Sequence, residues 1–314
     1  MKNNTVIVIV GPTASGKTSL SVEMAKKLGG EIISADSMQI YKGMDIATAK
    51  PTDEEKCGVE HHLMDFLDPE DEFSVAKYKE LAVSKIEELL NKGKIPIIVG
   101  GTGLYVDTVI NNTVFFNYDD SETRERLEKE CDENGIEALF HKLKEVDPDT
   151  AEKLHLNDKK RIIRALEVYY LTGKTITEQN NESHKEKSKF NFIQIGLNAK
   201  NRDYLYDRIN KRVDLMLESG LLDEAKMFYS SDYSSTAKQA IGYKELLPYL
   251  KGFVTLDDAV EKLKQETRRY AKRQLTWFRK NNDINWIFFD ENNNIVSECL
   301  KIIKRQEAAI CEEV

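Results

Sequence analysis

Apolar and polar positions follow two different periods in the first hundred residues. Thr5–Val10 is a continuous β-branched run, which is typical of a strand buried on both faces. Lys17–Leu28 and Ser74–Asn91 repeat apolar residues at helical spacing, whereas Ile32–Ser34 and Lys94–Val99 are short apolar runs that predict strands. Because strands alternate with helices, we expect βαβ units and a parallel sheet with right-handed crossovers.

The pattern changes after residue 120. From 121 to 173 only helical spacing recurs, most clearly over Arg124–Lys129, Ile136–Val146 and Asp158–Leu171. The polar stretch Thr177–Lys189 predicts a loop. Beyond it we expect two more strands and two long helices, over Phe192–Leu197, Arg202–Glu218, Leu256–Lys280 and Trp286–Phe289.

A glycine-rich loop joins the first strand to the first helix. Its residues are Gly11, Pro12, Thr13, Ala14, Ser15, Gly16, Lys17 and Thr18, which fit G-x-x-x-x-G-K-[ST] in the required context. The glycines let backbone N–H groups point at phosphate oxygens, Lys17 adds a positive charge, and Thr18 offers a hydroxyl to phosphate or magnesium. We predict that the loop binds a polyphosphate. The motif is shared by ATP-binding and other nucleotide-binding proteins, so it does not identify the ligand.

These elements predict the fold class and the domain organisation. The class is α/β, with a parallel-sheet core like that of phosphate-loop NTPases and an inserted all-helical domain. We assign residues 1–112 and 191–290 to the core, residues 113–190 to the insertion, and residues 291–314 to a C-terminal tail. The tail is Asn-rich and then weakly amphipathic.

Two further strand ends carry candidate chemistry. Ser34-Ala35-Asp36-Ser37 follows the second strand, and Gly100–Gly103 follows the third. The carboxyl ends of neighbouring parallel strands face one crevice, where ligands bind. On the residues alone, Asp36 could be a magnesium ligand, a turn residue or a proton acceptor. A phosphate-loop kinase is a fair hypothesis, but its usual metal-binding aspartate is missing here, because the strand Ile95–Val99 ends in a glycine.

Composition narrows the class of protein. The chain has 314 residues, 40% of them hydrophobic, which is enough for one large domain or two smaller ones. Its first apolar run is too short for a signal peptide or a membrane span. The four cysteines, Cys57, Cys131, Cys299 and Cys311, show no spacing typical of zinc or redox sites. We therefore expect a soluble cytoplasmic protein with no membrane partner.

The charge distribution points to a polyanionic partner. The chain carries −8 in total, but residues 200–280 hold 17 Lys/Arg and 12 Asp/Glu, which makes this segment +5 and the rest of the chain −13. Basic side chains cluster over Arg208–Arg212, Lys159–Arg164 and Arg268–Lys280. Each cluster alone could be a solvated helix face, and the stripe of Leu263, Tyr270 and Trp277 is more typical of core than of base stacking. Three clusters beside a phosphate-loop crevice favour a polynucleotide substrate.

Eight motifs along the chain resemble, in order, those of tRNA dimethylallyltransferases. They are GPTASGKT, SADSMQIYKGMDIATAKP, HHLMDFLDP, VGGTGLY, DKKRIIRALEVYYLTGK, INKRVDLMLESGL, KQAIGYKE and RRYAKRQLTWFRK. The resemblance covers roughly residues 5–290. One departure is Ala47, where the family more often has glycine; it lies outside the chemistry that the family implies.

The resemblance implies a magnesium-dependent reaction. The dimethylallyl group of dimethylallyl diphosphate would pass to N6 of the adenosine 3′-adjacent to the anticodon in tRNA, with release of diphosphate. Residues 11–18 would hold the diphosphate and Thr18 would also meet Mg²⁺. By the same resemblance Asp36, Thr18 and Arg212 would be catalytic, with Asp36 as the base. The implied tRNA contacts are Asp36, Ser37, Met38, Gln39, Thr102, Arg124, Lys160, Arg161 and Arg164. The partners would be the anticodon stem-loop and the prenyl diphosphate, and the chain is expected to be a monomer.

Three other functions stay open. A prenyltransferase of free adenylate would have little use for the helical insertion and the basic clusters. A phosphate-loop kinase of a small metabolite would consume ATP. A non-catalytic RNA-binding ATPase or switch normally has a magnesium-binding aspartate on a strand and a switch segment, and the sequence shows neither clearly.

Overall fold

The computed structural model of the protein describes residues 4–115, 121–183, 188–230 and 233–312. The chain divides into two compact units, one of Met1–Val109 with Lys189–Val314 and the other of Ile110–Ser188. We expected the insertion at 113–190. It begins at residue 110, three residues earlier than expected, and ends at residue 188, two residues earlier. The expected tail, 291–314, is not a separate segment, because it belongs to the first unit.

A parallel sheet organises the described part of the first unit. Its six strands are β1 (Thr5–Val10), β2 (Gly30–Ser34), β3 (His61–His62), β4 (Ile95–Gly100), β5 (Asn191–Asn198) and β6 (Asn285–Phe288). Their order across the sheet is β3-β2-β4-β1-β5-β6, and every neighbouring pair is parallel. All of β1 is buried, which explains its unbroken apolar run. The predicted α/β class is confirmed.

Helices make up most of the remaining described chain. Before and within the insertion they are α1 (Lys17–Leu28), α2 (Asp53–Lys56), α3 (Val75–Asn91), α4 (Gly103–Ile110), α5 (Ser121–Asn134), α6 (Ile136–Val146), α7 (Pro148–Lys153), α8 (Lys159–Thr172) and α9 (Ile176–Ser183). After it come α10 (Arg202–Glu218), α11 (Leu221–Tyr229), α12 (Tyr243–Leu250), α13 (Leu256–Phe278) and α14 (Ile295–Glu312). None of the helices within the described residues has the length and apolar content that crossing a membrane requires.

Two apolar clusters hold the first unit together. In one, Ile7 and Ile97 of the sheet pack with Met24 of α1 and Ile302 of α14. The last helix is thus part of the core, and its burial explains why the tail is not separate. In the other, α10 to α13 pack against the segment that follows β2, through buried residues such as Met44 and Leu263. This second cluster forms a wall beside the carboxyl edge of the sheet.

The described elements of the second unit are all helices. Their core contains Leu139 and Leu143 of α6 with Ile162 and Leu166 of α8. The loop predicted at Thr177–Lys189 is wrong for its first part, since α9 occupies it. A capping box explains the helix: the Thr175 hydroxyl accepts from the Glu178 amide, and the Glu178 carboxylate accepts from the Thr175 amide. Residues 184–187 of that stretch lie outside the described residues.

Close backbone approaches bring the strand ends together. A Cβ atom at Gly100 would lie 2.1 Å from the Ala35 carbonyl oxygen, so only glycine allows β4 to end this near the elbow after β2. A Cβ atom at Gly103 would lie 2.2 Å from the Trp277 ring of α13. The segment at the end of β4 therefore lies against both the elbow after β2 and helix α13.

Candidate active site

A cavity of about 340 Å³ opens at the carboxyl ends of the central strands. It lies within the first unit, as a parallel sheet predicts. Seven segments line it: the glycine loop with the start of α1, the elbow after β2, residues 47–49, the end of β4, helix α10, residues 239–244 around the start of α12, and helix α13. The polar side chains on its wall are Thr13, Lys17, Thr18, Asp36, Ser37, Gln39, Thr48, Arg212, Gln239, Lys244, Thr267, Tyr270, Arg273 and Gln274.

The glycine loop is held in place by side chains from two distant helices. Arg208 of α10 donates through Nε to the Ala14 carbonyl at 2.8 Å. Gln274 of α13 accepts from the Thr13 amide at 2.8 Å. Lys17 folds back on the loop, and its Nζ donates to the carbonyls of Gly11 at 3.0 Å and Pro12 at 2.7 Å. The loop is therefore ordered by contacts within the protein.

Asp36 is both a turn residue and a cavity residue. Its Oδ1 accepts from the Met38 amide at 2.9 Å, which is the turn contact that we considered for it. The side chain also lines the cavity. Burial raises the pKa of the Asp36 carboxyl above its ordinary value, while the hydrogen bond from the Met38 amide and the charges of Lys17 and Arg212 oppose that rise. A carboxylate held this way has the properties of a general base.

Two cations face Asp36 across the cavity. Burial, followed by repulsion from Arg212, lowers the pKa of the Lys17 ammonium to about 7, against an opposing effect of the Asp36 charge. Burial also lowers the pKa of the Arg212 guanidinium, while Asp36 opposes this effect. Two half-buried cations and one carboxylate on the wall of the same cavity favour the binding of an anion there.

The residues around Asp36 are held by a polar network. Thr102, at the end of β4, accepts from the Ser37 amide at 3.0 Å. The Gln39 amide is used at both ends, since Oε1 accepts from the Ser34 hydroxyl at 3.2 Å and Nε2 donates to the carbonyls of Thr48 and Ala49 at 3.1 and 3.2 Å. Gln39 thus braces the cavity wall and also lines the cavity, and its expected contact with a base stays a prediction. Met38 packs at the edge of the apolar cluster of α10 to α13.

The other expected tRNA contacts lie on the second unit. Arg124 is on α5, and Lys160, Arg161 and Arg164 are on α8; all four are exposed. Arg124 pairs with Glu128 at 3.5 Å, and Arg164 pairs with the buried Glu167 at 2.9 Å. Part of the Arg164 charge is therefore already neutralised within the helix.

The sequence did not reveal the part that α13 takes in the cavity. We interpreted its basic stretch as a phosphate-backbone contact, yet Tyr270, Arg273 and Gln274 line the cavity itself. Leu263 lies in the core and also borders the cavity, so the stripe of Leu263, Tyr270 and Trp277 is core only in part. The signal that could have identified this face is the helical spacing of Thr267, Tyr270 and Gln274.

The fold and the cavity together define an α/β protein of the phosphate-loop type in which the loop and a half-buried carboxylate line the same cavity. A family model described as IPP transferase matches residues 39–281. The tRNA dimethylallyltransferase of Acetivibrio thermocellus is 56% identical over 289 residues, which cover 91% of this chain and 92% of the relative. The chain belongs to the IPP transferase family.

Solved structures agree with this membership. The crystal structure of the full-length tRNA isopentenylpyrophosphate transferase from Bacillus halodurans matches with a TM-score of 0.68 and 45% identity, over 97% of this chain and 99% of that one. A eukaryotic dimethylallyltransferase acting on tRNA matches with a TM-score of 0.82 and 34% identity, over 95% of this chain and 78% of that one. The family that the motifs indicated is confirmed, and so is the enzyme class, a prenyl-transferring enzyme.

Proposed function

We propose that the protein transfers the dimethylallyl group of dimethylallyl diphosphate to N6 of the adenosine 3′-adjacent to the anticodon in tRNA. The observation that carries the proposal is that one cavity is lined by the glycine loop, by the half-buried cations Lys17 and Arg212, and by the half-buried carboxylate of Asp36. The relatives named tRNA dimethylallyltransferase support tRNA as the acceptor. We further propose that the enzyme acts as a cytoplasmic monomer and takes tRNA by its anticodon stem-loop.

The donor's diphosphate would lie on the glycine loop. Pro12 has no N–H and the Thr13 amide is bonded to Gln274, so the loop offers the amides that follow them, up to Thr18. Lys17 would leave the carbonyls of Gly11 and Pro12 for the phosphate oxygens. With Arg212 it would stabilise the negative charge that builds on the leaving group as the bond from C1 to oxygen breaks.

The acceptor nitrogen is a weak nucleophile, because its lone pair is delocalised into the adenine ring. In the reaction this lone pair forms the bond to C1, the electrons of the C1–O bond leave with the diphosphate, and the N6 proton passes to the Asp36 carboxylate. The base must leave the anticodon-loop stack to reach the cavity. Ser37, Met38 and Thr102 would then line its entry, while Gln39 braces the wall behind them.

Magnesium fits the donor set at the loop. Among the described residues no group of three or more His, Cys, Asp and Glu side chains is placed to hold a metal ion. Mg²⁺ in such enzymes is commonly held by one or two protein oxygens together with substrate phosphates and water, and Thr18 lines the cavity beside the loop. We propose that the Thr18 hydroxyl would hold Mg²⁺ against the diphosphate, where the ion would neutralise leaving-group charge.

One assay tests the proposal against its rivals. The protein is incubated with magnesium, dimethylallyl diphosphate and unmodified tRNA, without ATP, and the tRNA nucleosides are analysed by mass spectrometry. We expect N6-prenylated adenosine. Adenosine monophosphate as the only prenylated product would indicate the adenylate enzyme, and acceptor phosphorylation on adding ATP would indicate a kinase. ATP hydrolysis without prenyl transfer would indicate the RNA-binding ATPase.

Asp36→Asn separates chemistry from binding. The amide oxygen of asparagine still accepts from Met38, so the turn is retained while the base is removed. We expect turnover to fall by about 10²- to 10⁴-fold, the usual contribution of a general base, with tRNA and donor affinities nearly unchanged. A variant that loses tRNA affinity in proportion to rate would make Asp36 a binding residue.

A further inference from the structure

Helix α13 places one buried amide side chain between two strand ends. Gln274 is 5% exposed. Its Oε1 accepts from the amide of Thr13 at 2.8 Å, and its Nε2 donates to the carbonyl of Gly101 at 3.0 Å. Thr13 lies in the loop after β1 and Gly101 follows β4, so a single side chain connects the two loops.

The side-chain amide of Gln274 is closely packed against the backbone of Gly101. A Cβ atom at Gly101 would lie 2.1 Å from Nε2 of Gln274, so a residue other than glycine there would displace the side chain. A buried amide that uses an acceptor and a donor at once has a defined orientation. Both partners are backbone groups that would otherwise lack a bond, and leaving them unpaired in the interior is costly.

The same helix holds the elbow that carries Asp36. Tyr270, one turn before Gln274, lines the cavity together with Asp36, and Thr102 directly follows Gly101, whose carbonyl accepts from Gln274. Thr102 in turn accepts from the Ser37 amide at 3.0 Å. Helix α13 thus connects directly to the glycine loop through Gln274, and it connects to the elbow of Asp36 through Gly101 and its neighbour Thr102.

We propose that Gln274 is a positioning residue that holds the glycine loop in the conformation that receives the diphosphate. It acts on the donor through the Thr13 peptide and touches no reacting atom. Because the peptide is fixed before any ligand binds, the loop does not have to be ordered when the anion arrives. This inference rests on the proposed function for the identity of the anion.

Gln274→Met tests the role. Methionine has a similar length and volume but makes neither hydrogen bond, and it adds no charge. We expect the dissociation constant for inorganic pyrophosphate, measured by calorimetry with magnesium, to rise about tenfold, the effect of losing one to two hydrogen bonds. Gln265→Met is the matched control, since Gln265 is exposed on the same helix; it should bind pyrophosphate like the wild type.

Kinetics distinguish positioning from general loss of structure. In Gln274→Met the KM for the prenyl diphosphate should rise about tenfold while the KM for tRNA changes less than twofold. A purely structural role would instead lower the melting temperature and the active fraction at an unchanged donor KM, and that result would overturn the inference. Unchanged pyrophosphate affinity in Gln274→Met would overturn it as well.

Two further outcomes must be distinguished: a variant that does not fold, and a failure of the proposed function rather than of the positioning role. If Gln274→Met does not fold, amide hydrogen exchange of the ligand-free wild-type protein tests the inference instead. We expect the Thr13 amide to be protected from exchange. Exchange at the rate of an open loop would overturn the inference. If the wild type binds pyrophosphate and Gln274→Met binds it more weakly, but no prenylated tRNA forms, the proposed function fails while the positioning role stands.

Discussion

The side chain of Lys17, half-buried on the cavity wall, is expected to affect both ligand binding and the pH dependence of stability. Without an anion its Nζ bonds only to the carbonyls of its own loop, at 3.0 and 2.7 Å, beside the cation Arg212. Burial therefore makes the charged form unfavourable and lowers the pKa of Lys17 to about 7. A diphosphate would reverse this balance by supplying negative charge, so binding at neutral pH should take up a proton.

The lowered pKa of Lys17 predicts a pH dependence of stability. Between about 7 and its ordinary 10.5, the folded protein binds fewer protons at Lys17 than the unfolded chain does. The free energy of unfolding should therefore rise with pH across this window. Lys17→Met should lose that rise and be at least as stable as the wild type at pH 7. Melting temperatures from pH 7 to 10 check this, with exposed Lys27→Met as the control; equal slopes in Lys17→Met and wild type would contradict it.

The position of a side chain in the cavity could be predicted only where a local sequence motif contains the residue. Lys17 and Asp36 stand at a loop and a strand end whose spacing alone marks them. Gln39 also stands in a recognisable motif, but the motif did not show that its side-chain amide forms hydrogen bonds with Ser34, Thr48 and Ala49. The helical spacing of Gln274 with Thr267 and Tyr270 could mark its face of the helix, but it could not reveal the hydrogen-bond partners, which are 261 and 173 residues away in sequence.

Most elements follow from local periodicity. Residues 202–218 form the helix that the spacing predicts, and β1 coincides with its apolar run. Helix α9 was missed because its capping box lies in a polar stretch that resembles a loop. Helix α14 is only weakly amphipathic in sequence, but the sheet buries Cys299 and Ile303 and so recruits it to the core. A local cap therefore explains α9, whereas tertiary burial explains the place of α14 in the core.

The cavity wall after β2 depends on one carboxylate of α11. Glu224 accepts from the amides of Asp45, Ile46 and Ala47 at 2.7 to 2.9 Å. It also accepts from the hydroxyl of Tyr243 at 2.8 Å. The segment that continues to Thr48 and Ala49 lines the cavity, so this carboxylate fixes the shape of one side of the site.

Glu224→Gln should loosen that wall. One carboxylate oxygen becomes an NH₂ group that cannot accept from the backbone, at a cost of about 1.5–3 kcal/mol for hydrogen bonds to a charged group. We expect a lower melting temperature and a higher KM for tRNA, with pyrophosphate affinity unchanged because the glycine loop is not touched. Thermal unfolding and steady-state kinetics measure both. Asp223→Asn, at an exposed neighbour, should change neither; a tRNA KM that stays at the wild-type value in Glu224→Gln would argue against the anchor.

The two units carry different kinds of chemistry. The cavity and the charged side chains that line it belong to the first unit, while the second presents exposed cations on α5 and α8. The sequence could predict a core with a phosphate-binding crevice and a helical insertion with basic clusters. It could not tell which of the basic side chains form ion pairs within the insertion itself. Arg164 is one of these, because it pairs with the buried Glu167, and its removal would leave that carboxylate alone. Lys160 and Arg161 are therefore better positions than Arg164 for testing tRNA binding by substitution.

Removing Lys160 and Arg161 together tests whether the second unit binds the tRNA backbone. Each phosphate contact releases counterions, so its loss weakens binding and lowers the slope of log affinity against log salt by roughly 0.7–0.9. We therefore expect Lys160→Ala/Arg161→Ala to raise the KM for tRNA several-fold, flatten its salt dependence, and leave turnover and pyrophosphate binding unchanged. Lys129→Ala/Lys153→Ala removes the same charge from exposed positions of this unit and is the control. If both double variants lose tRNA affinity equally, the effect comes from net charge, and the contact on α8 is refuted.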